Sequence, residues 1–274
     1  MFSRSIPSPT SSYLELGPLT LHFYALCIIT GIAVAIWLGD RRLRAINPEL
    51  NSVVVDVAIF AVPSGIIGGR LYHVLSSPSD YSGSSSQVLD AFAIWKGGLG
   101  IWGAISLGAL GAFIGYRRAV RSKPELTFPP FIRFLDSLAP GVLLAQAIGR
   151  VGNWFNVELF GAPLQRWWAL EVPPSSRPPG YSEFATFHPT FAYEALWCVL
   201  VATLLITLTV RLQQGQSFAL YIALYCLGRF FIEGVRIDTA NLFFGLRQNQ
   251  WVSVVIGIAA LAIFVKLQKK RSQV

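Results

Sequence analysis

Charged residues are scarce in this sequence, and the motifs of common soluble enzymes are missing. Only 13% of its 274 residues are charged and 53% are hydrophobic, whereas a soluble domain carries about 25% charged residues. There is no P-loop, no dinucleotide-binding fingerprint, no CxxC and no HExxH motif. No serine lies in a nucleophile-elbow context. These absences exclude the common soluble enzymes and predict a polytopic membrane protein.

Histidine and cysteine are also rare. The three histidines are far apart in the chain, so neither a metal site nor a cofactor is expected. Cys27, Cys198 and Cys226 all lie in apolar runs, and an odd number without a pairing pattern argues against a disulfide framework. We expect them to be small core residues. The net charge of +8 does not indicate nucleic-acid binding, because the basic residues cluster in short loops between apolar runs.

Seven apolar runs approach the roughly 20 residues that cross a hydrocarbon core. They lie at about residues 21–38, 53–75, 98–116, 134–150, 189–210, 218–233 and 251–265. Basic residues concentrate in the loops at 41–44, 117–133 and 266–271, and such an excess marks the cytoplasmic side. The predicted fold is therefore all-α, with seven transmembrane helices, the N-terminus outside and the C-terminus in the cytoplasm.

The same pattern predicts the organisation of the chain. Residues 1–17 are rich in serine and proline and are expected to be poorly ordered rather than a cleaved signal peptide. Residues 18–268 are expected to form a single seven-span catalytic domain, followed by a basic cytoplasmic tail at 269–274. The outer loops are 76–97 and 151–188. The second is either a lid or docking platform, with a candidate interfacial helix at 164–170, or an ordinary extracellular loop.

Glycines spaced four residues apart occur in the second and third spans. Gly65 and Gly69 form one such pair, and Gly111 and Gly115 form another. Small faces of this kind let helices pack closely in lipid. The spacing therefore predicts close contact between helices.

The most unusual stretch is Gly149–Gly161, which contains Arg150, Asn153, Asn156 and Glu158 directly after an apolar run. A guanidinium at membrane depth must face the protein interior or a wet cavity, and it needs a partner. Its planar fork suits a phosphate or a carboxylate. The alternative is an interfacial loop whose polar groups satisfy each other.

Further arginines lie within or beside apolar runs. Arg229 and Glu233 are four residues apart on one helix face, and they are either a neutralised structural pair or part of a site. Arg70, Arg150 and Arg229 together have few obvious partners, and unpaired positive charge in a low-dielectric cavity invites an anion. In a membrane that anion is a phospholipid headgroup, and the same charge would stabilise a departing phosphate.

Five segments of this chain form a pattern that matches a known family. Gly149–Gly161 fits the signature G-R-x-G-N-[FW]-x-N-x-E-x-[FWY]-G, and the runs that begin at His22, Gly68, His188 and Gly228 resemble its other motifs. At these residues the chain resembles the prolipoprotein diacylglyceryl transferases of the bacterial cytoplasmic membrane. The similarity extends from about residue 20 to 265.

The resemblance implies a reaction. Phosphatidylglycerol donates its diacylglyceryl group to the lipobox cysteine thiol of a prolipoprotein, a thioether forms, and glycerol phosphate leaves. This is the first step of bacterial lipoprotein maturation, in a multi-pass protein whose site faces the outer leaflet. Displacement at an sp³ carbon needs a thiolate, in-line placement and a stabilised leaving group. The alternatives are a membrane anion transporter with an arginine-lined pathway and a non-catalytic scaffold.

The resemblance also implies roles for individual residues. Arg150 and Arg229 bind the lipid phosphate and stabilise the leaving group. Many members carry a histidine, suggested as a base, where this chain has Trp102, so Glu158 and His188 become the candidates for that role. The remaining substrate-binding candidates are Tyr24, Arg70, Asn153, Asn156, Gly161, Glu233 and Arg236.

Overall fold

The computed structural model describes residues 5–17, 19–81, 89–94 and 97–271. Its long helices are α1 (Phe23–Arg44), α2 (Val53–Ser76), α3 (Ile101–Ser122), α4 (Phe131–Phe155), α5 (Thr190–Leu208), α6 (Gln216–Val235) and α7 (Gln248–Arg271). Three antiparallel strand pairs join β1 (Tyr13–Leu16) to β2 (Leu19–His22), β3 (Leu170–Glu171) to β4 (Thr186–Phe187), and β5 (Leu242–Phe243) to β6 (Leu246–Arg247). The fold is mostly helical, as predicted.

Six of these helices, α1, α2 and α4 to α7, are long and apolar enough to cross a membrane. Helix α3 is also 22 residues long. Its glycines contribute little hydropathy and its last turns carry arginines, so its composition alone does not identify it as a membrane-crossing helix. Four helices extend well beyond the C-terminal ends of the predicted apolar runs. α1 and α3 each continue six residues further, to Arg44 and Ser122, α4 continues five residues beyond Arg150, to Phe155, and α7 continues to Arg271.

The chain divides into two compact units, and the single seven-span domain expected from the sequence stays a prediction. One comprises Met1–Gly39 with Leu135–Val274, and the other is Asp40–Phe134. In the smaller unit, α2 and α3 run antiparallel with very close backbones. A methyl group on Gly103 would lie 2.0 Å from the carbonyl oxygen of Gly68, and one on Gly111 would lie 2.7 Å from that of Phe60. The predicted small-residue packing between these helices is confirmed.

In the larger unit, α4 and α5 share a buried core to which α6 adds aromatic side chains. Leu143 and Leu205 are fully buried there, as is Cys198. Cys226 is also buried. The carboxylate of Asp136 on α4 accepts the amides of Gly215 (2.6 Å) and Phe218 (2.8 Å), so it caps the start of α6.

The connection from α4 to α5 is a folded cap with its own core. Phe160, Leu170, Val172 and Phe187 are buried together, with Ile6 packed against them. The helix expected at residues 164–170 is absent: these described residues form turns and the start of β3, and of their side chains Leu170 belongs to the cap core.

The N-terminal segment differs from the poor order that we expected for residues 1–17. The amide of Ile6 donates to the carbonyl of Ala169 (2.7 Å), and that of Glu171 donates to the carbonyl of Ile6 (2.8 Å). Tyr13–Leu16 pairs with Leu19–His22. The side chain and main-chain bonds of Ile6 hold the beginning of this segment to the cap, and the strand pair orders residues 13–16 beside the start of α1. Residues 1–4 lie outside the described residues.

The contact between α2 and α3 generates a stability prediction. In Gly103→Ala the new methyl group would meet main-chain atoms of Gly68, which cannot move aside as a flexible side chain can. We expect a loss of about 1–3 kcal/mol, measured as a lower melting temperature of the full-length protein in detergent. The control is Gly108→Ala, whose methyl group would have its nearest neighbour at 3.5 Å and should be tolerated. Equal melting of the two variants would contradict this packing.

Candidate active site

The polar stretch Gly149–Gly161 begins as a helix and ends in a strained turn. Arg150 and Asn153 lie on the last two turns of α4. The chain then passes through Val157 (φ 50°) and Leu159 (φ 59°), both left-handed, which is a genuine outlier for a β-branched residue. Such strain clusters at functional sites, and here it folds Glu158 back toward the helix.

The turn brings three polar side chains together. The Glu158 carboxylate accepts hydrogen bonds from the amides of Asn153 (2.8 Å) and Asn156 (3.2 Å). The carbonyl oxygen of the Asn153 side chain accepts a bond from Nη1 of Arg150 at 3.1 Å. This order of donors and acceptors fixes the orientation of the Asn153 amide, and it links the stretch to the arginine.

Glu194 joins the two arginines that the sequence singled out. Its Oε1 lies 2.7 Å from Nη2 of Arg150, and its Oε2 lies 2.9 Å from Nη1 of Arg229. The hydroxyl of Tyr225 donates to the same carboxylate at 3.1 Å. The Glu194 side chain is only 5% exposed, whereas the arginines are 23% and 16% exposed. The accessible surface of this cluster therefore belongs mainly to the two arginine side chains.

A second buried carboxylate extends the network. Glu233 has no exposed surface, and its oxygens contact Arg229 (2.7 Å), Arg236 (3.4 Å) and Arg247 (3.0 Å). The amide of Asn249 adds a hydrogen bond at 3.2 Å. One carboxylate thus holds guanidinium groups from the end of α6, the following loop and the start of α7.

Asp238 closes the network. It pairs with Arg236 at 2.7 Å and with Arg247 at 2.9 Å. Burial alone would raise the pKa of this carboxyl group, but the hydrogen bonds and charges of the two arginines lower it below its usual value. Asp238 is therefore ionised at neutral pH.

These contacts overturn one argument made from the sequence. We expected Arg150 and Arg229 to lack sufficient partners, yet each is paired with a buried carboxylate. The cause is tertiary: Glu194 comes from α5, and the sequence does not show that it lies between arginines of α4 and α6. A guanidinium and a carboxylate that are buried together avoid the large cost of an isolated charge.

The enclosed space beside the arginines is small. A cavity of about 10 Å³ is lined by Arg150, Asn153, Leu159, Thr190, Phe191, Glu194 and Arg236. That volume suits about one water molecule, so binding a phosphate there requires these side chains to move.

Tyr24 and Gly161 mark two close approaches around the cluster. The ring of Tyr24, at the start of α1, lies against Gly152, where a methyl group would be 2.6 Å from its Cδ2. The amide of Gly161 donates to the carbonyl of His188 at 2.9 Å. A methyl group on Gly161 would lie 2.9 Å from the carbonyl oxygen of Val235. The first contact packs α1 against α4, and the last packs the cap against α6.

His188 sits in a chain of hydrogen bonds within the cap. Nε1 of Trp168 donates to the hydroxyl oxygen of Tyr193 at 3.2 Å, and that hydroxyl lies 3.1 Å from Nδ1 of His188. The Tyr193 oxygen thus accepts a hydrogen bond from Trp168 and can donate its own proton to Nδ1. Partial burial lowers the pKa of His188. The imidazole is thus neutral at pH 7.

Arg70 belongs to the smaller unit and is engaged by main-chain oxygens. Its guanidinium donates to the carbonyls of Asp90, Ala91 (2.9 Å), Gly97 (2.5 Å) and Gly98 (3.1 Å). It also lies 5.3 Å from the ring centre of Tyr81. These contacts give Arg70 a structural task, which is to hold the segment after α2.

Some members of the cluster escaped the sequence analysis. Glu194 ends the motif that begins at His188, yet it was not among the predicted site residues. Tyr225 precedes Arg229 by one helical turn, and this spacing could have indicated from the sequence that the two side chains share a helix face. Arg247 and Asp238 carried no local signal. Among the described residues, no three His, Cys, Asp or Glu side chains are placed to hold a metal ion.

Comparison with known proteins identifies the family. A family model described as prolipoprotein diacylglyceryl transferase matches residues 11–266. The chain belongs to this family. The resemblance found in the sequence is therefore confirmed, and so is the assignment to the transferases.

Relatives in this family are similar over nearly the whole chain. A protein named phosphatidylglycerol–prolipoprotein diacylglyceryl transferase 2, from Streptomyces coelicolor, is 49% identical over 95% of this chain and 80% of its own length. Proteins named phosphatidylglycerol–prolipoprotein diacylglyceryl transferase include one from Streptomyces griseus (47% identity, 97% of this chain, 78% of its own length). Another is from Paenarthrobacter aurescens (46% identity, 97% of this chain, 84% of its own length). These names describe group transfer, so the anion-transporter alternative is not favoured.

The Glu233 contacts generate a prediction for the diacylglyceryl transferase fold. Glu233→Gln keeps the side-chain volume but leaves three buried guanidinium groups without their shared anion. We expect a loss of about 3–5 kcal/mol, seen as a melting temperature lower by roughly 5–15 °C in detergent. Glu171→Gln, on the exposed side of β3, is the control and should melt like the wild type. A wild-type melting curve for Glu233→Gln would mean that the network is not needed for stability.

Proposed function

We propose that this chain transfers the diacylglyceryl group of phosphatidylglycerol to the lipobox cysteine of prolipoproteins in the bacterial cytoplasmic membrane. The cysteine sulfur attacks the glyceryl carbon that carries the phosphate. The C–O bond breaks, and glycerol phosphate leaves with the electron pair while a thioether forms. The observation that carries this proposal is the meeting of Arg150 and Arg229, from different helices, at one anionic group in a chain of this family.

Glu194 indicates where the lipid phosphate binds. Carboxylate and phosphate oxygens accept the same paired N–H bonds from a guanidinium. Glu194 holds Arg150 and Arg229 so that both guanidiniums converge. The phosphate contacts their exposed edges and shares them with Glu194, or takes its place. Either way, two positive charges already face the oxygen on which negative charge develops, which lowers the barrier.

The neighbouring polar groups suit the glycerol part of the headgroup. Asn153 and Asn156 hold the Glu158 carboxylate through two amides, and its remaining lone pairs accept hydroxyl protons of the headgroup. Tyr24 borders this region through its contact with Gly152. Gly161 permits the close approach of the cap. Glu233 binds both Arg229 and Arg236, and this pairing fixes the position of Arg229.

Two groups remain candidates for removing the thiol proton, because Trp102 cannot accept one. Glu158 borders the proposed headgroup site. His188 is neutral, but its Nδ1 is engaged by Tyr193, so it accepts a proton only if that hydrogen bond is exchanged. This favours Glu158. Arg70 remains a proposed headgroup contact, in addition to its bonds to main-chain carbonyls.

Helix directions support the seven-span topology. Phe23 and Tyr24, at the start of α1, contact Phe155 and Gly152, at the end of α4, so α1 and α4 are antiparallel. An even number of crossings must therefore separate them. Since α2 qualifies as a span and α3 lies antiparallel along it, α3 supplies the second crossing.

With the N-terminus outside, the clustered arginines lie at the outer ends of the helices. This is the end where α1, α5 and α7 begin and where α4 and α6 finish. The site then faces the outer leaflet, where exported prolipoproteins and phosphatidylglycerol are both accessible.

The proposed activity is tested directly with phosphatidylglycerol and a fluorescent lipobox peptide. We expect the wild-type protein to add the mass of one diacylglyceryl group to the cysteine. Arg150→Ala should abolish this gain, because half of the phosphate-binding charge is lost, while membrane insertion is kept. Arg166→Ala, at an exposed position of the cap, should retain activity. Wild-type turnover by Arg150→Ala would contradict the role of Arg150.

Arg229→Lys tests the geometry of the guanidinium rather than its charge. Arg229 uses separate nitrogens for Glu194 and Glu233, and a single ammonium group cannot reproduce that bridge. We expect kcat to fall by about 10²-fold or more, the scale seen when one transition-state donor is removed. Arg166→Lys should have little effect. Near-normal kcat in Arg229→Lys would show that charge alone suffices.

A further inference from the structure

The connection between α6 and α7 ends in an exposed apolar tip, formed by residues 242–244. β5 and β6 pair Leu242 with Arg247 and Phe243 with Leu246, so Phe244 and Gly245 form a two-residue turn. Leu242, Phe243 and Phe244 are 66%, 53% and 97% exposed. Three consecutive large apolar side chains on a turn are unfavourable in water.

The turn also places its most exposed aromatic residue in a strained conformation. Phe244 has φ 47° and Gly245 has φ 78°, the pattern of a type I′ turn, which favours Asn-Gly. A bulky residue rarely adopts this left-handed conformation, and Phe244 has almost no buried surface that could compensate. A strained and exposed side chain points to a function outside the protein's own packing.

The base of the hairpin is held firmly. The guanidinium of Arg247, in β6, is bound to Glu233 and Asp238. The amide of Gln248 donates to the carbonyl of Asn241 at 3.0 Å. The apolar tip is therefore a defined element of the larger unit with a fixed attachment.

The contact of the apolar tip with α7 also sets the depth of the tip in the membrane. Nε1 of Trp251, in the first turn of α7, donates to the carbonyl of Phe243 at 2.8 Å, and the rings of Trp251 and Phe244 are 6.5 Å apart. Helix α7 is long and apolar enough to cross a membrane, and tryptophan prefers the headgroup level. The tip therefore lies at the depth where a span meets the membrane boundary.

The exposed face of α7 continues from this point. Trp251, Val255 and Ile258 are spaced as neighbours on one helix face, and they are 39%, 65% and 64% exposed. An exposed apolar face on a membrane-crossing helix contacts lipid. The apolar tip lies at the N-terminal end of that face, beside Trp251. The bilayer that covers the exposed face of α7 therefore covers the tip as well.

We propose that the apolar tip inserts into the boundary between headgroups and acyl chains of the surrounding bilayer, with Phe244 as the leading side chain. Amphipathic elements bind this region through buried apolar area. The inference rests on the proposed membrane topology and not on the transfer reaction. An apolar segment of a bound signal peptide is the competing occupant.

The test places a fluorescent probe on the tip. Phe244→Cys is labelled with a thiol-reactive NBD dye and reconstituted in nanodiscs of phosphatidylcholine and phosphatidylglycerol that contain doxyl-labelled lipids. Ser175→Cys, on an exposed turn of the cap, is the matched control. Wild-type protein treated with the same dye supplies the background from the native cysteines. Leu242→Cys gives a second probe position should Phe244→Cys fail to fold, which gel filtration will show.

We expect lipid-borne doxyl groups to quench the tip probe several-fold more than the control probe, and aqueous iodide to quench it less. Equal iodide quenching at both positions without lipid quenching would overturn the proposal. Protection that appears only after a prolipoprotein signal peptide is added would also overturn it and assign the tip to the peptide. None of these readouts requires diacylglyceryl transfer, so the transfer activity and the membrane insertion of the tip can fail separately.

Discussion

A buried guanidinium requires a buried anion, and this requirement organises the larger unit. Glu194 and Glu233 are almost inaccessible, and both bind Arg229. Through Arg150 and Arg247 they extend the pairing to α4 and to the strand before α7. The loss of one partner would leave a charge in a low-dielectric environment. The ends of four helices are therefore held together by the groups that form the candidate active site.

The same pairing shapes the proposed chemistry. Positive charges that are neutralised by fixed carboxylates do not attract counterions indiscriminately, yet they remain oriented toward an incoming phosphate. Only a small space separates these side chains, so a phosphate that enters it must displace some of their contacts. Glu194 is the side chain whose contacts change most directly, because it binds both arginines. Preorganised charge of this kind stabilises a departing phosphate with little further reorganisation.

Irregular segments at one end of the helices complete the site. The cap between α4 and α5 carries its own buried core and receives Ile6 from the N-terminal segment. The hairpin between α6 and α7 supplies Arg247 to the ion network and presents the apolar tip. Loops that carry function need positions set by a rigid support. Here the support is main-chain pairing and ionic contact with helix ends.

Local patterns in the amino-acid order were sufficient to predict the membrane helices, the glycine faces of α2 and α3, and the family, because hydropathy and motif spacing are read within short windows. They also predicted Arg150, Arg229 and Glu158 as site residues. The tertiary structure decided which carboxylate each arginine binds, that Arg70 holds main-chain carbonyls, and that Ile6 packs on the cap. Ion pairing in a membrane interior depends on side chains from helices far apart in the chain, and their meeting is set by helix packing, which no local pattern encodes.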